Sequence, residues 1–398
     1  EEDLDINVKI LYIDGSKFEA NANKMTFVWK KSSQKYYQNT WKKFIKLVKK
    51  LNRYFSREGI EVYYSLIKEP NIAYMLEIAD RVEKYMEANN IEFVHGKGKK
   101  KSEIQKLYDE LKEYAIRISK YIMHFDICGD RNSFSKTDPD ATFMKMKYDY
   151  YNHTNVFKPG YNVQFGISDG FIRNVYVSSD CNDLPTYIPF MEKYYQAYGE
   201  YPEKTPADAG YGSYDNYMFC KKHEIDLYMK YSGYYKEQEK KTEKNQFKVS
   251  QMRQEDGSYV CPQGYKFEFV RETINTKGQY KKVNQILENK HCKGCPLKSK
   301  CTKSKGNRKI TNNEKLNQMK KEVRDNLASD EGKEYIKWRQ IYSEGVFGIL
   351  KEDHHYSKLR RRGESGVKLE ITLVAIGFNI RKYHKMMMEK RKKEALIN

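Results

Sequence analysis

Residues 7–14, NVKILYID, alternate toward the period of a half-buried strand, and the run ends on Asp14. GSKFEANAN follows as a turn and a second short extended piece. From Tyr36 to Phe125 the apolar residues recur every three or four positions instead. Trp41, Phe44, Ile45, Val48, Leu51 and Phe55 precede a break at Gly59; Ile72 to Met86 and Ile104 to Ile122 repeat the pattern. This predicts a helical hairpin inserted after the first strand, with HGKGKKK (95–101) as a basic tip. Period two returns at Tyr161–Ser168 and Phe171–Ser178, which an Asp169-Gly170 turn joins into a hairpin. An amphipathic helix spans Leu184–Tyr198, with Asn182-Asp183 as its cap. Lys204–Gly210 reads as a short strand ending on Asp208, followed by a helix through Cys220 and a fifth strand at Ile225–Lys230. Near the C-terminus, Tyr335–Lys351 reads as one helix. At about 100° per residue it gathers Gln340, Glu344 and Lys351 on one face. A last helix covers Val367–Met387.

That order predicts an α/β protein with a ribonuclease-H-like mixed sheet: three antiparallel strands, then parallel ones with helical crossovers. Such a sheet sets Asp14 and Asp208 side by side, and a later helix brings Glu344 across them. Three converging carboxylates repel one another without cations, so divalent metal is expected. The expected core comprises residues 1–35, 131–235 and 330–398. Residues 36–130 form the helical insertion, and 236–329 a charged, cysteine-rich insertion.

Charge sharpens the picture. The 398 residues carry 74 Lys and Arg against 54 Asp and Glu, a net +20 spread along the chain, which suits a polyanionic partner. No signal peptide and no run of about 18 apolar residues appears, so a soluble, cytoplasmic protein without membrane contact is expected. Of seven cysteines, four stand as C-x30-C-x2-C-x5-C: Cys261, Cys292, Cys295 and Cys301. Four thiolates are enough for a closed structural zinc site, although an iron–sulfur cluster also uses thiolates and His291 could replace one of them. Cys128, Cys181 and Cys220 are isolated thiols. Lys358, Arg360, Arg361 and Arg362 follow Glu344 in a basic turn, where cations could hold a phosphodiester strand. Because the chain begins with Glu1, a preceding segment is expected.

Four stretches together resemble the DDE transposases of bacterial insertion sequences, in the branch with a four-cysteine insertion before the catalytic Glu. They are YIDGSKFEANAN (12–23); NSFSKTDPDATFM (132–144) with PGYNVQ (159–164); PADAGYGS (206–213); and SEGVFGILK (343–351) with LRRRG (359–363). The resemblance implies Asp14, Asp208 and Glu344 as a triad holding two Mg²⁺ or Mn²⁺ ions. Asp138 is the rival for first carboxylate. The implied reaction is DNA strand cleavage and strand transfer on double-stranded transposon ends and target, by a homodimer assembled on DNA at the nucleoid. The family's Tyr, Arg, Glu and Lys signature maps onto Tyr335, Arg339, Glu344 and Lys351, with Arg339 one residue further from Glu344 than is commonest. Arg339 and Lys351 then join the basic turn as DNA contacts. The rival readings are a nuclease of the same fold, or a catalytically silent transposase-derived DNA-binding protein.

Overall fold

The computed structural model describes residues 6–69, 71–96, 98–146, 156–238 and 246–397. Lys97 of the basic tip and residues 239–245 of the charged stretch lie outside the described residues. In chain order the main elements are β1 (Tyr12–Glu19), β2 (Phe27–Trp29), α1 (Lys30–Arg57), α2 (Ile72–Ala88), α3 (Glu103–Cys128), β3 (Ser133–Ser135), β4 (Thr142–Lys145) and β5 (Phe157–Ser168). Next come β6 (Phe171–Ser178), α4 (Tyr187–Tyr198), β7 (Ala207–Gly212), α5 (Tyr214–Lys222), β8 (Met229–Tyr231), β9 (Glu268–Asn275), β10 (Lys282–Asn289) and β11 (Arg308–Asn312). The chain ends with α6 (Glu314–Ala328), α7 (Asp330–Arg339) and α8 (Glu364–Ile397). It is a mixed α/β protein with several sheets.

Two compact units divide the chain. The first comprises Glu1–Phe18, Tyr161–Arg360 and Ser365–Asn398; the second comprises Glu19–Gly160 and Arg361–Glu364.

In the first unit β5 and β6 form the expected hairpin, with Asn162 opposite Ser178 and Ser168 opposite Phe171. Asp169 and Gly170 both adopt positive φ, 47° and 78°, as a two-residue turn between twisted strands requires. Next to β5 lies β1, running the opposite way: the Ser168 hydroxyl bonds the Ile10 carbonyl, while Gly15 lies against Gln164. On the other side of β1 the pairing is parallel. Leu11 and Ile13 N–H groups donate to the Lys204 and Pro206 carbonyls at 2.9 and 3.0 Å, and β7 pairs in parallel with β8. The strand succession is therefore β6, β5, β1, β7, β8. Leu11, Ile13, Tyr187, Phe190, Tyr217 and Leu227 make its buried core. A second small core of Met252, Tyr259, Phe267 and Ile310 lies beneath the antiparallel sheet β9–β10–β11.

The second unit holds the three predicted helices. The side chains read as periodic are the ones that pack: Phe44, Val48 and Leu51 of α1 meet Met75, Ile78 and Val82 of α2 and Leu107, Leu111 and Ile118 of α3. Asn71 and Ser102 cap α2 and α3 by accepting the N–H of Tyr74 and of Gln105. Strand β2 pairs with β3, and β4 pairs with the first residues of β5.

Three elements differ from the expectation. Strand β1 does not end on Asp14 but runs on to Glu19, and β7 continues past Asp208 to Gly212. Backbone pairing needs no apolar alternation, so the strands outlast the pattern that announced them. Tyr335–Lys351 is not one regular α-helix. After α7 come a π turn at Gln340–Glu344, an α turn at Gly345–Gly348 and a second π turn at Ile349–Asp353. Each π turn widens the helix, so a face drawn at the α spacing does not hold here. Finally, α8 starts before Val367 and runs to Ile397.

Candidate active site

Asp14 and Asp208 enter the first unit on the neighbouring strands β1 and β7. The Asp14 side chain is 20% exposed, and its Oδ1 accepts the Gly15 N–H at 3.0 Å. Arg339, at the end of α7, sets its Nη1 3.4 Å from the same oxygen. Burial pushes the Asp14 carboxyl up to about 6; the Arg339 guanidinium works against this, while the charges of Asp208 and Asp183 add to it. Asp208 turns its Oδ1 back to the Gly210 N–H at 2.7 Å.

A third carboxylate stands with these two, and sequence reasoning missed it. Asp183 follows β6 and looked like a helix cap, yet its side chain makes no cap hydrogen bond. Its Oδ1 instead accepts from Asn162 Nδ2 at 2.7 Å and Gln164 Nε2 at 3.1 Å. Asn162 and Gln164 alternate on one face of β5 and are fully buried. Two amides two positions apart inside an otherwise apolar buried strand were the signal that could have found it. Tyr211, itself buried, donates its hydroxyl to Gln164 Oε1. All the side-chain donors of the cluster Asp14, Asp183 and Asp208 are carboxylate oxygens, the kind that hard divalent cations take. A Cβ at Gly15 would stand 2.8 Å from Asp183 Oδ1, and one at Gly210 would stand 2.9 Å from Asp208 Oδ1 and 3.2 Å from Asp183 Oδ2. The two glycines thus leave space that the carboxylates fill.

Glu344 lies exposed in the first π turn. Arg339 is 13% exposed, with Nε and Nη1 buried and without a hydrogen-bond acceptor. Lys351 is engaged: its Nζ donates to the Ser16 hydroxyl at 2.6 Å and the Lys17 carbonyl at 2.7 Å, above the Phe18 ring. The Tyr335 hydroxyl donates to Glu331. Asp138 is buried in the second unit, where its Oδ1 accepts the Gly363 N–H at 3.1 Å. Among the described residues, no three His, Cys, Asp or Glu side chains are grouped to hold a metal ion.

Residues 260–384 match a family model described as the transposase DDE domain. The chain carries a transposase DDE domain. No curated protein and no solved structure matches it.

The matched segment of the DDE domain takes in Arg339, Glu344 and Lys351, and all four cysteines of the insertion. Cys261, Cys292, Cys295 and Cys301 line one cavity of about 20 Å³, together with His291. The sulfurs are drawn toward local partners: Arg308 Nη1 donates to Cys301 Sγ at 2.7 Å, and the Cys292 thiol to the Asn289 carbonyl at 3.4 Å. Lys358 and Arg360 are exposed in the first unit, and Arg361 and Arg362 in the second, where Arg362 Nε donates to the Asn21 carbonyl. Among the described residues no helix is long and apolar enough to cross a membrane.

Proposed function

We propose that the chain is a DNA transposase that cuts DNA strands and joins them, with Asp14, Asp208 and Glu344 as its triad. Its ribonuclease-H-like core would comprise residues 1–35, 131–235 and 330–398, with 36–130 and 236–329 inserted. The observation that carries this reading is the meeting of Asp14 and Asp208 on adjacent parallel strands, within electrostatic reach of each other. The succession β6, β5, β1, β7, β8, antiparallel and then parallel, supports the core assignment.

Two divalent ions, Mg²⁺ or Mn²⁺, bound by the triad supply Lewis-acid activation of a water or a DNA 3′-hydroxyl and neutralise charge at the leaving oxygen. The chain's own residues prepare the place. Asp14, Asp208 and Glu344 provide the oxygen donors, and Arg339 balances the Asp14 charge. Residues five apart are neighbours along a π turn, as residues four apart are in an α-helix. The turn at Gln340–Glu344 therefore absorbs the extra residue between Arg339 and Glu344. Lys351, tied to Ser16 and Lys17, steadies β1 just beyond Asp14 and lies beside the phosphate path. Arg339, Lys351, Lys358, Arg360, Arg361 and Arg362 contact DNA backbone rather than bases. The shared cavity of Cys261, Cys292, Cys295 and Cys301 supports a structural zinc. Synapsis of two ends would call for a homodimer on DNA.

Cleavage and strand-transfer assays with Mg²⁺ and candidate end DNA test the reading. Glu344→Gln should lower both activities about 10²–10³-fold, the scale of removing one transition-state interaction, and leave DNA binding intact. Cleavage without joining by the wild type would favour the nuclease. Equal activity of wild type and variant would end the triad assignment.

A further inference from the structure

Asp183 is held as a ligand is held, not as a cap. Its backbone carbonyl already serves the turn that follows, accepting the Thr186 N–H at 3.0 Å and the Thr186 hydroxyl at 2.7 Å. The side chain is left for something else. Asn162 and Gln164 grip Oδ1, so Oδ2 is turned toward Gly210 and the carboxylate of Asp208. On its other side, Gly15 presents the strand that carries Asp14. Any side chain at Gly15 would displace this carboxylate, and one at Gly210 would crowd it.

Two further observations point to a missing positive partner. Asn162 is fully buried, and its Oδ1, on the amide that touches Asp183, has no hydrogen-bond donor. A buried neutral oxygen without a donor is costly unless a cation or a cation-bound water meets it. On the Asp14 side, Arg339 has come within ion-pair distance without making a hydrogen bond through Nη1. It gives charge compensation without satisfying the geometry of either group.

We propose that Asp183 is a further carboxylate ligand of the divalent-cation site between β1 and β7, joining Asp14 and Asp208, with Asn162 and Gln164 fixing its orientation. This rests on the reading of Asp14 and Asp208 as metal-binding. The ligand class is a hard, oxygen-seeking divalent cation such as Mg²⁺ or Mn²⁺.

Asp183→Asn separates the ligand role from a structural one. The amide oxygen still accepts from Asn162 and Gln164, so thermal melting without metal should be unchanged, while the charge is gone. Mn²⁺ titrated calorimetrically into the full chain should bind the variant about 10–100-fold more weakly than wild type. Asp208→Asn is measured alongside. If Asp208→Asn loses affinity and Asp183→Asn does not, Asp183 is no ligand, although the metal-site reading stands. If wild type and Asp208→Asn bind Mn²⁺ alike, the metal-site reading itself falls, and this inference with it. Should Asp183→Asn not fold, Fe²⁺ with ascorbate and peroxide on the wild-type chain decides. Backbone scission beside residues 14, 183 and 208 is expected, and scission sparing 183 overturns the proposal.

Discussion

Glycines at the site divide into those that make room for side chains and those that make room for backbone. At Gly15 the space is taken by the Gln164 amide and the Asp183 carboxylate, the far ends of side chains. At Gly212 it is taken by the Lys230 carbonyl and by Tyr231 Cα, 2.7 Å from where a Cβ would stand. Side-chain ends can turn aside, whereas strand β8 cannot leave β7 without breaking the pairing. Gly212→Ala should therefore destabilise the protein by about 1–3 kcal/mol, seen as a lower urea midpoint. Gly15→Ala should shift that midpoint less but depress DNA cleavage, because the groups it moves belong to the carboxylate cluster. Similar unfolding midpoints for the two variants would contradict this division.

At the scale of elements, α7 is the arm that brings Arg339 to Asp14, and it is anchored at its first turn. Glu331 accepts from Lys204 at 2.6 Å and from the Tyr228 and Tyr335 hydroxyls, and Lys204 belongs to the segment paired with β1. Those hydrogen bonds, that of Lys204 first, hold the Glu331 carboxyl down to about 2. Its folded value lies below its ordinary one near 4.5, so the ionised form is the one the fold favours. The stability it contributes is present above pH 4.5 and is lost as pH falls toward 2. Glu331→Gln should flatten this acid limb in thermal melts between pH 5 and 2 while changing little at neutral pH. The carboxylate is about half exposed, so solvent screening keeps the effect modest. An unchanged acid limb would mean that the ion pair does not tie α7 down.

For the whole molecule, a net charge of +20 matters through DNA. Arg360, Arg361 and Arg362 are consecutive and exposed. Neutralising all three should weaken binding to every DNA sequence alike and make log K against log[salt] shallower by up to ~0.9 for each phosphate no longer neutralised. A loss confined to one sequence, or an unchanged salt slope, would show that these charges do not grip the backbone.

By itself the sequence determined what depends on neighbours in the chain. The 3–4 spacing of Phe44, Val48, Leu51 and their counterparts drew α1, α2 and α3, because a helix pairs each residue with those one turn away. Asp169-Gly170 wrote the β5–β6 turn, since few residues accept positive φ twice running. Asp14 and Asp208 stood out as chemistry-bearing residues in two strands before their meeting was seen, and the cysteine spacing marked out one segment. The tertiary structure alone decided where β1 and β7 stop, because a ladder ends where its partner strand ends rather than where side chains cease to alternate. It alone turned the Glu344 segment into π turns, since a packed helix adjusts its winding to what it packs against. And it alone drew Asp183 from a cap-like position to the carboxylates. The amides that hold it and the glycines that admit it come from three different strands, so no local pattern could carry the message.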